Sequence, residues 1–148
     1  MMRDEVRIDG QRPEIDCAGA GLPPAAATVA VSELHGDDRQ PDDPPEQVVT
    51  LVAFAGEIDL GTAPALGETV PSRTTDAAAV LLDLSAVTFL DSAGVRLLDN
   101  LVRLHEGRGT AVRLVAPEHG VARFTLTLCA FRSELIESTV AAARASLR

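Results

Sequence analysis

The middle of the chain constrains the fold most, because a strand pattern changes there abruptly into a helix pattern. Residues 80–85 form a run rich in Val and Leu, which is typical of a buried strand in a parallel sheet. Over residues 96–106 polar side chains recur at helical spacing and apolar side chains fill the other face, until Gly107 and a second glycine end the helix. Asp91 and Ser92 therefore lie where the chain turns into this helix.

Ser92 allows two interpretations. Its hydroxyl can serve as the helix N-cap and accept a hydrogen bond from a backbone N–H of the first turn, which would explain the residue without any function. The same hydroxyl is also held near the surface at the positive end of the helix dipole, where a phosphate is well tolerated. A cap and a modification site are thus both compatible with this position.

Two four-residue motifs follow predicted strands. The first is the run Asp91-Ser92-Ala93-Gly94, and the second, after the strand at 48–55, is Gly56-Glu57-Ile58-Asp59. Together and in this order they resemble the STAS domain of the anti-sigma factor antagonists, whose motifs are Asp-Ser-(Ser/Ala)-Gly and Gly-Glu-(Leu/Ile)-Asp. The resemblance covers residues 48–148 and extends more weakly back to about residue 28.

The resemblance implies an α/β fold, a STAS-like mixed β-sheet flanked by about four α-helices and preceded by a flexible N-terminal tail. Strand patterns that alternate with helix patterns also predict parallel neighbours in the sheet. Residues 1–27 show no sustained period and are predicted to be a flexible acidic tail before a domain at 28–148. Within this domain, residues 36–47 are rich in acids and prolines and are predicted to form a solvated loop.

The remaining helices are predicted from caps and spacing. Asp59 to Thr62 offer caps for a helix that ends near Pro71. A further helix is predicted to start at Pro117 and Glu118. Val121, Phe124, Thr125 and Leu128 are expected to share one face of this helix.

The C-terminal part follows from the same signals. Residues 134–137 are predicted to be a short edge strand, and Ser138 to cap a final helix that reaches about Leu147. Members of the resembled family carry Gly-Leu where this chain has Ala130-Phe131. Because the glycine is missing, the preceding helix is expected to end with a different cap.

The resemblance also implies a function. In that family the unphosphorylated protein binds an anti-sigma factor that is itself an ATP-dependent serine kinase, and a sigma factor is released. The kinase then phosphorylates the serine that corresponds to Ser92, which breaks the complex, and a serine phosphatase restores the hydroxyl. The implied partner-binding residues are Asp59, Asp91, Ser92, Ala93, Gly94 and Arg96. A role as a cap of the following helix would by itself explain Asp59.

No set of catalytic residues is found. The chain has no phosphate-binding glycine loop and no metal-ligand spacing, and position 90 is Leu, so that Ser92 lacks the Gly-x-Ser-x-Gly elbow of a hydrolase. We therefore expect no enzyme activity, no cofactor and no metal site.

Cys17 and Cys129 form no disulfide framework, and Cys129 is expected to be a small buried residue. The alternative function is a STAS subunit of a membrane transporter, for lipid or anion, without a phosphorylation switch.

The charge is uneven and acidic. The formal net charge is −9, and residues 1–47 hold 11 of the acids but only 4 of the arginines. This composition offers no basic patch for direct binding of nucleic acid. No apolar run reaches the ~18–20 residues of a membrane span, and the N-terminus lacks the apolar core of a signal peptide. We expect no membrane insertion and a location in the cytoplasm.

Overall fold

The computed structural model describes residues 4–9, 26–35, 41, 42 and 47–147. Within these residues six strands form one sheet, ordered as in the sequence: β1 (Asp4–Asp9), β2 (Ala26–Leu34), β3 (Val49–Ile58), β4 (Ala79–Leu90), β5 (Ala111–Val115) and β6 (Ile136–Glu137). The helices are α1 (Ala63–Arg73), α2 (Ser92–Gly107), α3 (Val121–Leu128) and α4 (Val140–Ser146). The pairings β1–β2 and β2–β3 are antiparallel, and the three later ones are parallel. The predicted mixed sheet with about four helices is confirmed.

Strand β4 is buried on both faces, as its continuous apolar pattern predicts. Its even-numbered residues from Val80 to Leu84 belong to the main core cluster, to which α1, α2 and α3 also contribute. Its odd-numbered Ala79 and Leu81 belong to a smaller cluster with Ala143 of α4. Since successive side chains of a strand point to opposite faces, three helices cover one face of the sheet and α4 covers part of the other.

The prediction of a tail without regular structure is wrong for residues 4–9, which form β1 and pair with β2. In β1 the apolar Val6 and Ile8 face the core cluster, while Glu5 and Arg7 are exposed, which is the alternation of a strand with one buried face. A six-residue segment gives too short a pattern to be distinguished in a polar sequence. Residues 10–25 of the predicted tail and most of the predicted loop at 36–47 lie outside the described residues.

Strand β4 runs five residues further than predicted and reaches Leu90. In its second half only Val87 and Leu90 are buried and the other residues are exposed, so that the apolar run at 80–85 is shorter than the strand. The pairing with β3 continues through two register shifts until Ile58 lies beside Leu90. Gly56 is required here, because its φ is +88° and a Cβ would lie 2.5 Å from the carbonyl oxygen of Ala26. The carboxyl ends of β3 and β4 therefore meet at one point.

The helices beyond β4 differ from their predicted limits. Helix α3 starts at Val121, four residues after Pro117, because Gly120 rather than the proline segment is its N-cap. The face that Val121, Phe124 and Leu128 share is turned to solvent, and these residues are 47%, 68% and 70% exposed.

The other limits shift by smaller amounts. Helix α1 continues through Pro71 to Arg73. Strand β6 keeps only the last two of its four predicted residues, since a 3₁₀ turn takes up Ser133–Leu135. Thr139, not Ser138, caps α4, through a hydrogen bond of 3.1 Å from the Ala142 N–H to its side-chain oxygen.

Cys129 is exposed, contrary to prediction, and Cys17 lies outside the described residues.

Candidate functional site

The start of α2 is capped by Asp91, not by Ser92 as one interpretation of the sequence predicted. Asp91 has an extended backbone, and its side-chain oxygen Oδ1 accepts a hydrogen bond of 2.9 Å from the Gly94 N–H. Ser92 is thus the first residue of the helix and is exposed. No residue in the described ranges forms a hydrogen bond with its hydroxyl. The capping explanation of Ser92 is removed, because the neighbouring carboxylate takes that role.

Gly94 fixes the start of α2 against the end of β3. It is buried, and a Cβ at this position would meet the Leu90 side chain and lie 2.8 Å from the carbonyl oxygen of Ile58. The same carbonyl accepts a hydrogen bond of 3.3 Å from the Asp91 N–H. This close approach holds the first turn of α2, and with it Ser92, in a defined position.

Asp59 shapes the loop between β3 and α1. Its Oδ1 accepts hydrogen bonds from the N–H groups of Gly61 at 2.9 Å and Thr62 at 3.1 Å. The side chain of Thr62, which the sequence analysis did not single out, donates to the Glu57 carbonyl at 2.9 Å. Asp59 is only 8% exposed, so that its clearest role is to hold this loop beside the start of α2.

A groove of about 530 Å³ runs between α1 and α2, and Ser92 lies at its rim. Its lining is mostly apolar and comes from the loop before α1 and from the facing sides of the two helices. The residues that line it are Leu60, Ala63, Pro64, Gly67, Pro71, Ser92, Ala93, Arg96, Leu97, Asn100, Leu101 and Leu104. Leu60 is 76% exposed and Leu104 39%, which leaves apolar surface open along this groove. We call it the α1–α2 groove.

The structure places the predicted site residues in two sets. Ser92, Ala93 and Arg96 line the α1–α2 groove, and Ser92 and Arg96 are exposed. The second set does not line the groove but holds it in position. Asp91 and Gly94 fix the first turn of α2, and the buried Asp59 holds the loop beside it. The groove residues of α1 were missed, because nothing in the sequence alone aligns Pro64 or Pro71 with the face of α2 that carries Arg96.

His105 joins the other ends of the two helices. It is fully buried, with Nδ1 2.6 Å from the Leu101 carbonyl oxygen and Nε2 2.8 Å from the Thr74 hydroxyl, just beyond α1. Burial lowers the pKa of His105, and the nearby Arg108 lowers it further, against the raising effect of the Leu101 hydrogen bond. The ring is therefore neutral at pH 7 and packs α1 against α2.

Two further observations concern ligands and membranes. Among the residues that the structure describes, no group of three or more His, Cys, Asp or Glu side chains is arranged to hold a metal ion. None of the helices in the described ranges combines the length and the apolar content needed to cross a membrane.

The matching family model is the STAS domain, over residues 40–143, and the chain belongs to this family. It is similar to the anti-sigma-F factor antagonist RsfB of Mycobacterium tuberculosis, with 37% identity over 76 residues, which are 51% of this chain and 52% of the relative. The chain thus spans about half the length of the curated relatives that it matches.

Solved structures show the same fold. The chain is similar to an anti-sigma factor antagonist from Mycobacterium paratuberculosis, with a TM-score of 0.53, 29% identity, and coverage of 80% of this chain and 94% of that chain. It is also similar to the unphosphorylated form of the anti-sigma factor antagonist SpoIIAA, with a TM-score of 0.56, 16% identity, and coverage of 72% and 93%. At 16% identity the second likeness shows the fold alone.

Proposed function

We propose that this chain is an anti-sigma factor antagonist of the cytoplasm whose unphosphorylated form binds a kinase-type anti-sigma factor and thereby releases a sigma factor. One observation carries the proposal: the Ser92 hydroxyl is exposed at the first turn of α2 and at the rim of the α1–α2 groove, while Asp91 caps the helix in its place. The names of the similar proteins from the two mycobacteria support the same function.

In the proposed cycle this chain is the substrate and not the catalyst. The Ser92 oxygen forms a bond to the γ-phosphorus of ATP held by the partner, the bond from that phosphorus to the β–γ bridging oxygen breaks, and ADP leaves. The hydroxyl proton passes to a base of the kinase. A phosphatase restores the hydroxyl: a water oxygen forms a bond to the phosphorus, the bond from the phosphorus to the serine oxygen breaks, the serine oxygen takes up a proton from water and inorganic phosphate leaves.

The proposed switch acts on the surface and not on the fold. Phosphate adds about −1.5 to −2 charges next to the carboxylate of Asp91. Its oxygens lie at a helix N-terminus, which tolerates negative charge, so that the domain stays folded. A partner surface that fits a neutral hydroxyl must then bury a charged group, and a loss of ~3 kcal/mol already weakens binding more than a hundredfold.

The test uses a kinase-type anti-sigma factor, labelled ATP and three forms of this chain. Wild type should take up label and be released, Ser92→Ala should bind persistently without label, and Ser92→Asp should bind poorly while its circular dichroism stays native. Ser85→Ala is the matched control: this serine is also exposed, but its hydroxyl already donates to Asp83 at 2.6 Å, and the variant should behave as wild type. Equal affinities of wild type, Ser92→Ala and Ser92→Asp would reject the switch and favour the transporter-subunit alternative.

A further inference from the structure

The surroundings of Ser92 are acidic. Asp91 precedes it, and Glu57 and Asp59 lie at the end of β3, where Glu57 pairs with Phe89 just before the site. A phosphate on Ser92 would add about −1.5 to −2 charges to this group. The dipole of α2, which acts on its first turn, offsets part of this repulsion. A cation of the chain beside Ser92 would stabilise the phosphorylated form further.

Arg96 is placed to supply that cation. It follows Ser92 by four residues on α2, and both residues are exposed and line the α1–α2 groove. Side chains four residues apart on a helix have Cβ atoms about 5–6 Å from each other, and the pair is most favourable with the anion on the N-terminal side, as here. Nothing in the described part of the chain forms an ion pair with Arg96, whereas Arg103 of the same helix pairs with Asp99 at 3.1 Å.

We propose that Arg96 is the intramolecular counter-ion of a phosphate on Ser92 and donates hydrogen bonds from its guanidinium group to the phosphate oxygens. This inference rests on the proposed function, since it assumes that Ser92 is phosphorylated. Arginine suits the role because its planar group can bind two phosphate oxygens at once.

With this ion pair, phosphorylation changes the state of two residues, Ser92 and Arg96. In the unphosphorylated form Arg96 has no ion-pair partner among the described residues, lies beside the mostly apolar α1–α2 groove and is available to an acidic group of the partner. In the phosphorylated form the same guanidinium is held by the phosphate, so that the partner meets a new anion and loses a cation in one step. The discrimination between the two forms therefore depends on both side chains.

The experiment places phosphoserine at position 92 during translation, so that no kinase is needed. The second ionisation of the phosphate, normally near pH 6, is followed by ³¹P NMR titration in wild type, Arg96→Gln and Arg103→Gln. A nearby cation favours the dianion and lowers this pKa. We expect the phosphate pKa to be about half a unit higher in Arg96→Gln than in wild type, and the difference to shrink in 1 M salt. Arg103→Gln is the matched control and should leave the phosphate pKa unchanged.

The outcomes separate this inference from the proposed function. Identical phosphate pKa values in wild type and Arg96→Gln would overturn the role of Arg96. The role would also be overturned if Arg103→Gln raised the phosphate pKa by the same amount, because the effect would then come from the positive charge of any arginine on the helix. If Arg96→Gln alone raises the pKa while the kinase fails to label Ser92, the counter-ion stands and the kinase-switched function fails.

Discussion

Helices α2 and α3 end in the same hydrogen-bond arrangement but with different residues at the critical position. After α2, the N–H of Gly109 bonds to the Glu106 carbonyl at 3.0 Å and that of Thr110 to the His105 carbonyl at 2.9 Å. This is the Schellman motif, whose left-handed residue is usually glycine, and Gly109 has a φ of +76°.

The end of α3 repeats this motif with alanine. The N–H of Ala130 bonds to the Thr127 carbonyl at 3.1 Å and that of Phe131 to the Leu126 carbonyl at 3.0 Å, while Ala130 has a φ of +53°. The expectation of a different cap, drawn from the missing glycine, is therefore wrong. Backbone hydrogen bonds and the packing of Phe131 on the core impose the left-handed conformation despite the Cβ.

The two helices also differ in what their apolar residues do. In α2 the apolar residues at helical spacing are buried, with Leu98 and Leu101 0% and 2% exposed. In α3 only Ala122 and Leu126 are buried, and Phe124 on the same short helix is 68% exposed. Periodicity thus predicts the buried face where a long helix also carries polar residues. It fails where eight residues are mostly apolar and the pattern does not single out one face.

The largest effect is expected at the buried face of α2. Leu101→Ala should lower the free energy of unfolding by about 2–5 kcal/mol, because it removes buried methyl groups and leaves a cavity. Leu104→Ala is the control: this leucine of the same helix is 39% exposed, and its truncation should cost clearly less. Urea unfolding followed by circular dichroism measures both. Similar losses for the two variants would show that α2 does not bury one face selectively.

A smaller but specific effect is expected at the start of α2. Gly94→Ala places a methyl group against Leu90 and the Ile58 carbonyl and should cost about 1–3 kcal/mol through overpacking. Gly67→Ala in α1 is the matched control, since the nearest atom to its Cβ would be Leu97 Cδ1 at an ordinary 3.4 Å, and alanine favours the helix. Thermal unfolding should therefore give a lower melting temperature for Gly94→Ala than for Gly67→Ala. A neutral Gly94→Ala would show that the start of α2 is not fixed against β3.

These residues also show what the sequence could predict. The run at 80–85 identifies a buried strand because it is almost continuously apolar, and the polar spacing of α2 identifies a helix because it repeats one period over many residues. Ser92 was placed at the right junction, but Asp and Ser are equally good caps, and only the backbone conformation shows that Asp91 takes the role. The pairing of β1 with β2 and the alignment of α1 with Arg96 depend on contacts distant in sequence, which no local pattern contains.

A matched pair of substitutions tests the two helix ends directly. Ala130→Gly should stabilise the protein by about 0.5–1 kcal/mol, since it removes the strain of a left-handed alanine but gives the unfolded chain more freedom. Gly109→Ala should destabilise by a similar amount, because a Cβ there meets nothing within 4 Å and only the backbone conformation is strained. The urea midpoints of the two variants should move in opposite directions. A destabilising Ala130→Gly would mean that the alanine methyl contributes packing that exceeds its strain.

The smallest effect is expected on the exposed face of α3. Phe124→Ser should change the free energy of unfolding by no more than ~0.5 kcal/mol, because the side chain is 68% exposed and the two residues have similar helix propensities. Leu126→Ser, two residues further along the same helix but 0% exposed, should by contrast be strongly destabilising. Equilibrium unfolding at two protein concentrations measures both variants. A loss above ~1 kcal/mol for Phe124→Ser that grows with concentration would show that this face is covered by a second copy of the chain, and α3 would then resemble α2 in burying its apolar residues.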